Sequence, residues 1–508
     1  MQKQWAPLKS SSPYSRAFTI VELLIVVVVI AILASIVIIS YNGISQRAKQ
    51  SAAASAAEQA AKAVLNFATL NAEVFPTTLP AAGVSNDTNT TYEYAYNNTA
   101  KTYCITATFQ SVSYYISNAS PNPVAGVCPG HLGGGPVGPW TDIAAGSEHS
   151  CGIYQGLAYC WGRDYNGALG TGTAGHRLLP TAVSTAGVLA GKTVTDIDAG
   201  PTQSCAVADG AAYCWGDNSD GEVGDGTTTN RSTPTAVSTA GVLGGKTVTR
   251  VDVGANYACA LANGAVYCWG SDGYAGLGNG AGGSSTTPVA VDTSGVLSGK
   301  TITSIHAGWR SACAIATDGK AYCWGTSSYG AVGNDPAAGA ASPVQIGVNG
   351  VLAGKTVTAT GGGEFNGCAV ASGAAYCWGN GALGNNSYSG STIPVAVDVS
   401  GVLAGKTVTD ASIGGQGCVV ASGAAYCWGS NTNGSLGNGT NTDSPVPVAV
   451  STAGVLAGKT VTKISTDYYG HTCALASGQA YCWGNGGYGR LGNNVGSSSN
   501  IPVQVTNP

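Results

Sequence analysis

Ser204-Cys205-Ala206-Val207-Ala208-Asp209-Gly210-Ala211-Ala212-Tyr213-Cys214-Trp215-Gly216 decides how the chain is read, because its last four residues recur seven times. The tryptophans of the string are Trp161, Trp215, Trp269, Trp324, Trp378, Trp428 and Trp483, spaced 54, 54, 55, 54, 50 and 55 residues apart. A fixed period of this size marks a repeat architecture. Within the stretch, two short apolar runs flank Asp209-Gly210, a two-residue turn that needs positive φ. Gln155-Gly156, Asn263-Gly264, Ser372-Gly373, Ser422-Gly423 and Ser477-Gly478 fill the same place, and Thr317-Asp318-Gly319 adds one residue, as a glycine bulge would.

Cys205 and Cys214 stand equidistant from this turn. They therefore face each other at a non-hydrogen-bonded pair, where Cα atoms approach most closely and a disulfide fits. The same count pairs Cys151 with Cys160, Cys259 with Cys268, Cys313 with Cys323, Cys368 with Cys377, Cys418 with Cys427 and Cys473 with Cys482. Each bridge closes a loop of about ten residues, worth roughly 2–3 kcal/mol in the chain-entropy treatment. Zinc would require closer cysteine spacing. After each tryptophan come a glycine-rich stretch, a proline with a short apolar run (Pro234-Thr235-Ala236-Val237), the connector Gly241-Val242-Leu243-Gly244-Gly245-Lys246, and another strand, Val248 to Val253. About four strands per unit cannot bury both faces alone, but seven units in a ring can. The expected fold is therefore a seven-bladed all-β propeller over 140–508, with an open β-solenoid as the rival.

The pattern Gly-x-x-His-Ser-Cys followed by Tyr-Cys-Trp-Gly and Gly-x-Leu-Gly resembles the regulator-of-chromosome-condensation repeat. The resemblance implies a seven-bladed propeller used as a protein-binding platform. The nucleotide exchange of that family's founding nuclear member is not carried over, because the paired cysteines depart from the intracellular pattern.

The front of the chain differs. Residues 1–17 are polar and carry Lys3, Lys9 and Arg16 without acids, and Phe18 to Ile39 is apolar except for Glu22 and a few small polar residues. As a helix, 22 residues reach about 33 Å, enough to span a bilayer core. A cleaved secretory signal would have a shorter apolar core, and a plain anchor does not account for Glu22. Ala17, Phe18 and Glu22 resemble the type IV prepilin motif, in which a basic leader is cut before Phe and Glu stands fifth in the mature chain. Ala17 replaces the usual Gly. The resemblance implies processing at Ala17-Phe18 by prepilin peptidase, insertion in the inner membrane by one helix before assembly, and pairing of Glu22 with the terminal amine of a neighbouring pilin subunit.

Ala48, Ala52, Ala56, Ala60, Val64 and Phe67 continue this helix as an amphipathic half to about residue 70. Short strands are expected at Tyr92 to Tyr96, Lys101 to Thr108 and Ser111 to Ile116, forming a small α+β pilin head over 71–128. Cys104 and Cys128 remain after the seven hairpin pairs. They are expected to form a disulfide pinning the last loop of the head, which the prepilin resemblance supports. Residues 129–139 are a Gly/Pro linker.

Sixteen cysteines in eight pairs imply an oxidising compartment. With 9% charged residues, a net charge of −4 and no basic patch, nothing points to nucleic acid. No enzyme constellation stands out, and no cofactor is implied. His149 and His471 share a repeat position with Gln203, Tyr257, Ser311, Asn366 and Gln416, which reads as a loop brace rather than a catalyst. The acids of Asp217 to Glu222 are wrongly spaced for an EF-hand, so no metal is expected.

Large side chains that break the repeat are the candidate ligand contacts. Before the first hairpin cysteine come Tyr257, Trp309-Arg310, Phe365 and Tyr468-Tyr469, and five residues after the tryptophan come Tyr274, Tyr329 and Tyr488. Aromatics and Arg on Gly/Ser/Asn-rich loops have the composition of a binding surface. Whether the two loop sets share a face is open at this level. The expected function is a minor, tip-located pilin-like subunit at the bacterial surface, presenting the propeller to a surface protein or glycan. The rival is a membrane-anchored or pseudopilin-type propeller that inhibits a secreted enzyme, by analogy with a secreted β-lactamase-inhibiting relative of the propeller family.

Overall fold

A computed structural model describes residues 49, 51–71, 74–76, 78–86, 90–97, 102–109, 112–117, 122–125, 140–326, 328–334 and 339–508. The leader, the apolar segment with Ala17, Phe18 and Glu22, Cys128 and the linker lie outside these residues. The chain divides into two units, Met1–Pro136 and Val137–Pro508.

In the first unit a helix runs over 51–70. It buries Ala57, Ala60, Ala61, Val64 and Ala68 against Ile105, Ala107 and Ile116 of a small sheet, and Ala53 is buried on the same stripe. Ala52, Ala56 and Phe67 are only half buried, so the stripe lies one residue C-terminal to the expected one for most of its length. Alanine on both flanks makes the two registers hard to tell apart by hydropathy alone. The sheet comprises β1 (Thr90–Asn97), β2 (Thr102–Phe109), β3 (Val112–Ser117) and β4 (Val124–Ala125) in antiparallel order. Cys104 lies on β2 and is disulfide-bonded.

The second unit is seven four-stranded antiparallel sheets, each built from four consecutive strands. Blade 1 begins with Trp140–Ala145 and ends with Arg177–Ala182; blade 2 with Val194–Ala199 and Arg231–Ala236; blade 3 with Val248–Val253 and Ser285–Ala290. Blade 4 runs from Ile302–Ala307 to Ala340–Gln345, blade 5 from Val357–Gly362 to Ser391–Ala396, blade 6 from Val408–Ile413 to Ser444–Ala449, and blade 7 from Val461–Thr466 to Ser499–Gln504. The first strand of each blade touches the first strands of its neighbours, so these seven strands surround the axis. Blade 7 packs directly on blade 1, and the ring closes without a blade of mixed origin.

Seven hairpin disulfides join the expected cysteines, with Cα atoms 4.0 to 4.1 Å apart as facing non-hydrogen-bonded partners require. Each sulfur pair is fully or almost fully buried between blades. The seven repeat tryptophans are fully buried, and six of them donate an indole N–H to a backbone carbonyl of the preceding blade. Trp215 donates to Ala168, Trp269 to Glu222, Trp324 to Gly276, Trp378 to Ala331, Trp483 to Ser435 and Trp161 across the closure to Arg490, all at 2.8 to 2.9 Å. The glycine two residues after each of these carbonyls lies under the ring. A Cβ on Gly224 would come 2.7 Å from Trp269, and its φ of +74° also suits glycine.

Blade 5 breaks this rule. Its loop after Trp378 reaches Leu383 in five residues, where the loop after Trp215 takes eight to reach Val223. The shortened loop leaves the indole N–H of Trp428 buried and without a partner. Trp215→Phe should therefore cost about 1 kcal/mol more stability than Trp428→Phe, since both lose similar volume but only the first loses a hydrogen bond. Urea unfolding of the two variants checks this, and equal losses would contradict it.

Candidate recognition face

Within a blade the first strand leads into a short loop, and the third strand into a long glycine-rich loop. Both sit at the same end of the blade. The hairpin turn and the inter-blade connector sit at the other end, where Val194 N donates to Gly156 O and Val248 N to Gly210 O. Trp140 N makes the equivalent bond to Gly478 O, so the chain enters the propeller on this connector face.

The two candidate loop sets therefore share a face. The Arg310 guanidinium lies between the rings of Tyr274 (4.4 Å) and Phe365 (4.9 Å) and pairs with Glu364 at 3.1 Å. Tyr329 meets Phe365 edge-on at 5.0 Å. Trp309 of blade 4 stacks on Tyr468 of blade 7 at 4.9 Å, reaching across the ring over the mouth of the axial channel, with Tyr469 edge-on to both. Glu364 joins the two groups, since Tyr468 also bonds it, and burial keeps its carboxyl above the usual range despite both partners. Tyr488 stands apart with Arg163 at 4.9 Å and His176. A groove of about 380 Å³ lies between Arg163 and Tyr165 on one side and Tyr274, Trp309 and Arg310 on the other.

Tyr257 corrects the expectation. It is 3% exposed, and its hydroxyl donates toward Gly308 O (2.9 Å) and Ser311 O (3.0 Å) of the next blade. It is the first residue of a strand (Tyr257–Ala262), whereas Trp309, Arg310, Phe365, Tyr468 and Tyr469 precede theirs. Its repeat position is an inter-blade brace. His149 Nε2 bonds Ser204 Oγ at 2.8 Å, Gln203 donates to Gly254 O, Asn366 to Gly414 O, Gln416 to His471 O, and His471 Nε2 bonds Ser150 Oγ at 2.9 Å. Arg163, Tyr165, Glu364 and Tyr388 also belong to the face and escaped the sequence reading. Glu364 adjoins Phe365, and Arg163 directly follows a repeat Trp-Gly, so departure from the repeat was the available signal. Within Asp217 to Glu222, Asp217 accepts from Asn218 N and Glu222 from Asp220 N, while the Asp220 carboxylate accepts from Asn256 Nδ2 of blade 3 at 2.9 Å.

Repeat models described as regulator of chromosome condensation (RCC1) repeat match residues 155–207, 209–261, 263–315, 302–331, 422–475 and 477–508, and a prokaryotic N-terminal methylation motif matches 13–38. The chain belongs to the RCC1-repeat family. It is 32% identical over 207 residues to the ultraviolet-B receptor UVR8 of Arabidopsis thaliana, covering 40% of this chain and 45% of the receptor. It is also 32% identical over 198 residues to the human E3 ubiquitin-protein ligase HERC2, covering 38% of this chain and 4% of the ligase. The chain thus spans less than half the length of these curated relatives. Among solved structures, human WBSCR16 superposes with a TM-score of 0.59 at 21% identity, covering 69% of this chain and 94% of that one. Prp20p of Saccharomyces cerevisiae superposes with a TM-score of 0.55 at 18% identity, covering 66% and 81%. At these identities the likeness concerns the fold.

The axis of this RCC1 propeller is lined by the first strands, whose outer N–H groups have no further strand to pair with. In blades 1, 3, 4 and 7, side chains of the preceding blade accept some of them. Asp196 accepts from Val251 N and Asp198 from Val253 N (both 2.7 Å), Asp252 from Ala307 N (2.8 Å), Asp410 from Ile464 N (3.0 Å), and Ser465 from Ala145 N (3.0 Å). Burial, with Asp142 nearby, pushes Asp196 up to about 7, and burial with Asp252 nearby holds Asp198 well above the carboxylate range. Burial, then His471 and Arg490, pushes His149 down to about 3.

The two effects have opposite pH windows. Asp196 binds its proton more tightly when folded, so its contribution is lost as pH rises from 3.8 to about 7. His149 binds its proton less tightly when folded, so its contribution is lost as pH falls from 6.5 to about 3. Asp196→Asn should gain stability relative to the wild type as pH rises from about 4 to 8. His149→Gln, which installs the residue found at Gln203 and Gln416, should flatten the acid limb. Thermal midpoints across this range check both; a pH-independent difference for either variant would contradict its assignment.

Proposed function

We propose that this chain is a minor type IV pilin-like subunit that carries an RCC1 propeller to the cell surface and grips a surface ligand through the aromatic face. One observation carries the reading. Among the described propeller residues, the largely exposed tyrosines (Tyr165, Tyr274, Tyr329, Tyr388, Tyr468, Tyr469 and Tyr488) all stand on the face opposite chain entry. The connector face instead exposes valines such as Val242 and Val402, and its lysines lie over the repeat tyrosines at 5.6 to 5.9 Å. Tyrosine, tryptophan and arginine supply large contact area at low entropic cost, and the Gly/Ser/Asn loops between them supply hydrogen bonds. The methylation motif and the hairpin disulfides support export and a surface location. A propeller far larger than the preceding head would crowd a helical shaft, so the subunit belongs at the tip, with other pilin subunits as its neighbours.

The N-terminal peptide of protein taken from its native surface should begin at Phe18 and carry an added methyl group. An intact Met1 end would overturn the pilin reading. In adherence assays, a strain lacking 140–508 should lose binding. Trp309→Ala with Arg310→Ala should reduce it by about tenfold or more, while Lys406→Ala on the connector face should leave it unchanged. Equal adherence of wild-type and propeller-less strains would overturn the ligand-gripping role.

A further inference from the structure

Among the described residues twelve that are not glycine have positive φ, and most are Asn, Asp, Gln or Ser in turns, where such residues are tolerated. Two are tyrosines, Tyr329 (φ 57°) and Tyr488 (φ 60°). Both stand five residues after a repeat tryptophan and just before a glycine. Blade 1 has Asn166 (φ 50°) at that place, a residue suited to the conformation. A bulky side chain there is a true outlier and is destabilising. Burial does not compensate, because Tyr329 is 64% exposed and Tyr488 41%. Each ring is instead held from one side, Tyr329 by Phe365 and Tyr488 by Arg163 and His176, with the rest turned to solvent.

A local rule broken twice at one repeat position, on one face, with only a one-sided ring contact in return, marks residues kept for contact. Building on the function proposed above, we infer that Tyr329 and Tyr488 are paired anchor residues for a folded protein partner with a basic surface. Blades 4 and 7 lie on opposite sides of the ring, so a ligand touching both tyrosines must span the axis. Three arginines of this face pair with acids, Arg163 with Glu148, Arg231 with Asp225 and Arg310 with Glu364, and Arg177 donates to the Thr173 hydroxyl and Gly175 O. Asp164, Asp217, Asp272 and Asp443, in contrast, accept only backbone N–H groups among the described residues and have no cationic partner. The remaining charge is negative, which disfavours anionic glycans and lipids and favours basic protein.

The test uses the full chain. Tyr329→Asn and Tyr488→Asn, each alone, should raise the thermal midpoint of detergent-purified protein by roughly 1 °C. Together they should lower adherence to target-cell monolayers by at least about tenfold. Adherence of the wild type should be lost when the monolayer is treated with trypsin and kept when it is treated with periodate. A lowered midpoint would show that the tyrosines are structural and overturn the inference. Undiminished adherence of the double variant, or periodate-sensitive and trypsin-resistant adherence, would overturn it while leaving the ligand-gripping role intact. If the wild type adheres no better than the strain lacking 140–508, both readings fall.

Discussion

The propeller depends on one contact repeated around the ring: a buried indole N–H meeting a carbonyl of the blade before it, with a glycine pressed beneath the ring. The contact does two things at once. It inserts the largest apolar side chain into the seam between sheets, where most of the burial energy lies. It also fixes the angle between successive blades, because a hydrogen bond at 2.9 Å tolerates little sliding. Seven sheets that could otherwise stack with variable twist are thereby set to one rotation, and the ring closes when Trp161 finds Arg490 O.

Two further sets of bonds lie along the same seams. In six blades a brace at the start of the second strand crosses to the next blade, through side chains as different as His149, Gln203, Tyr257 and Asn366. Around the axis, aspartates and serines accept the edge N–H groups of neighbouring strands. Blade 5 departs from the usual pattern in all three respects. It leaves Trp428 N–H unpartnered, places Ala359 and Gly361 where blade 2 has Asp196 and Asp198 and blade 6 has Asp410 and Ser412, and holds blade 6 through Asn366 at a longer 3.3 Å. A Cβ at Gly361 would lie 2.8 Å from Ala411 O, so close backbone approach replaces side-chain clasping there.

The strict repeat made the fold legible. Cysteines equidistant from a Gly-containing turn specify strand register, turn type and disulfide partners together, and the structure places all seven pairs so. The single short interval of 50 residues marked the deviant loop, though not its unpaired indole. The recognition face was legible only in part, because sequence position does not say which loops share an end of a blade or which side chains turn inward. Tyr257 shows the limit. It lies in the same stretch as the exposed aromatics, but alternation along its strand turns it into the seam. Glu364 was hidden for the opposite reason, since its role comes from Arg310 and Tyr468, which lie 54 and 104 residues away in the chain.

Trp140 begins the innermost strand of blade 1, and its indole donates to Asn507 Oδ1 at 3.0 Å, so both ends of the ring meet on the connector face. Tension between the linker and anything held on the opposite face would run first along that inner strand. Behind it, the Cys151–Cys160 bridge short-circuits the hairpin, and the same cross-link recurs in every blade. Each bridge withholds roughly 25 Å of chain from extension. A propeller stapled in this way would release less slack under load than an uncross-linked one and would transmit force as a stiff body.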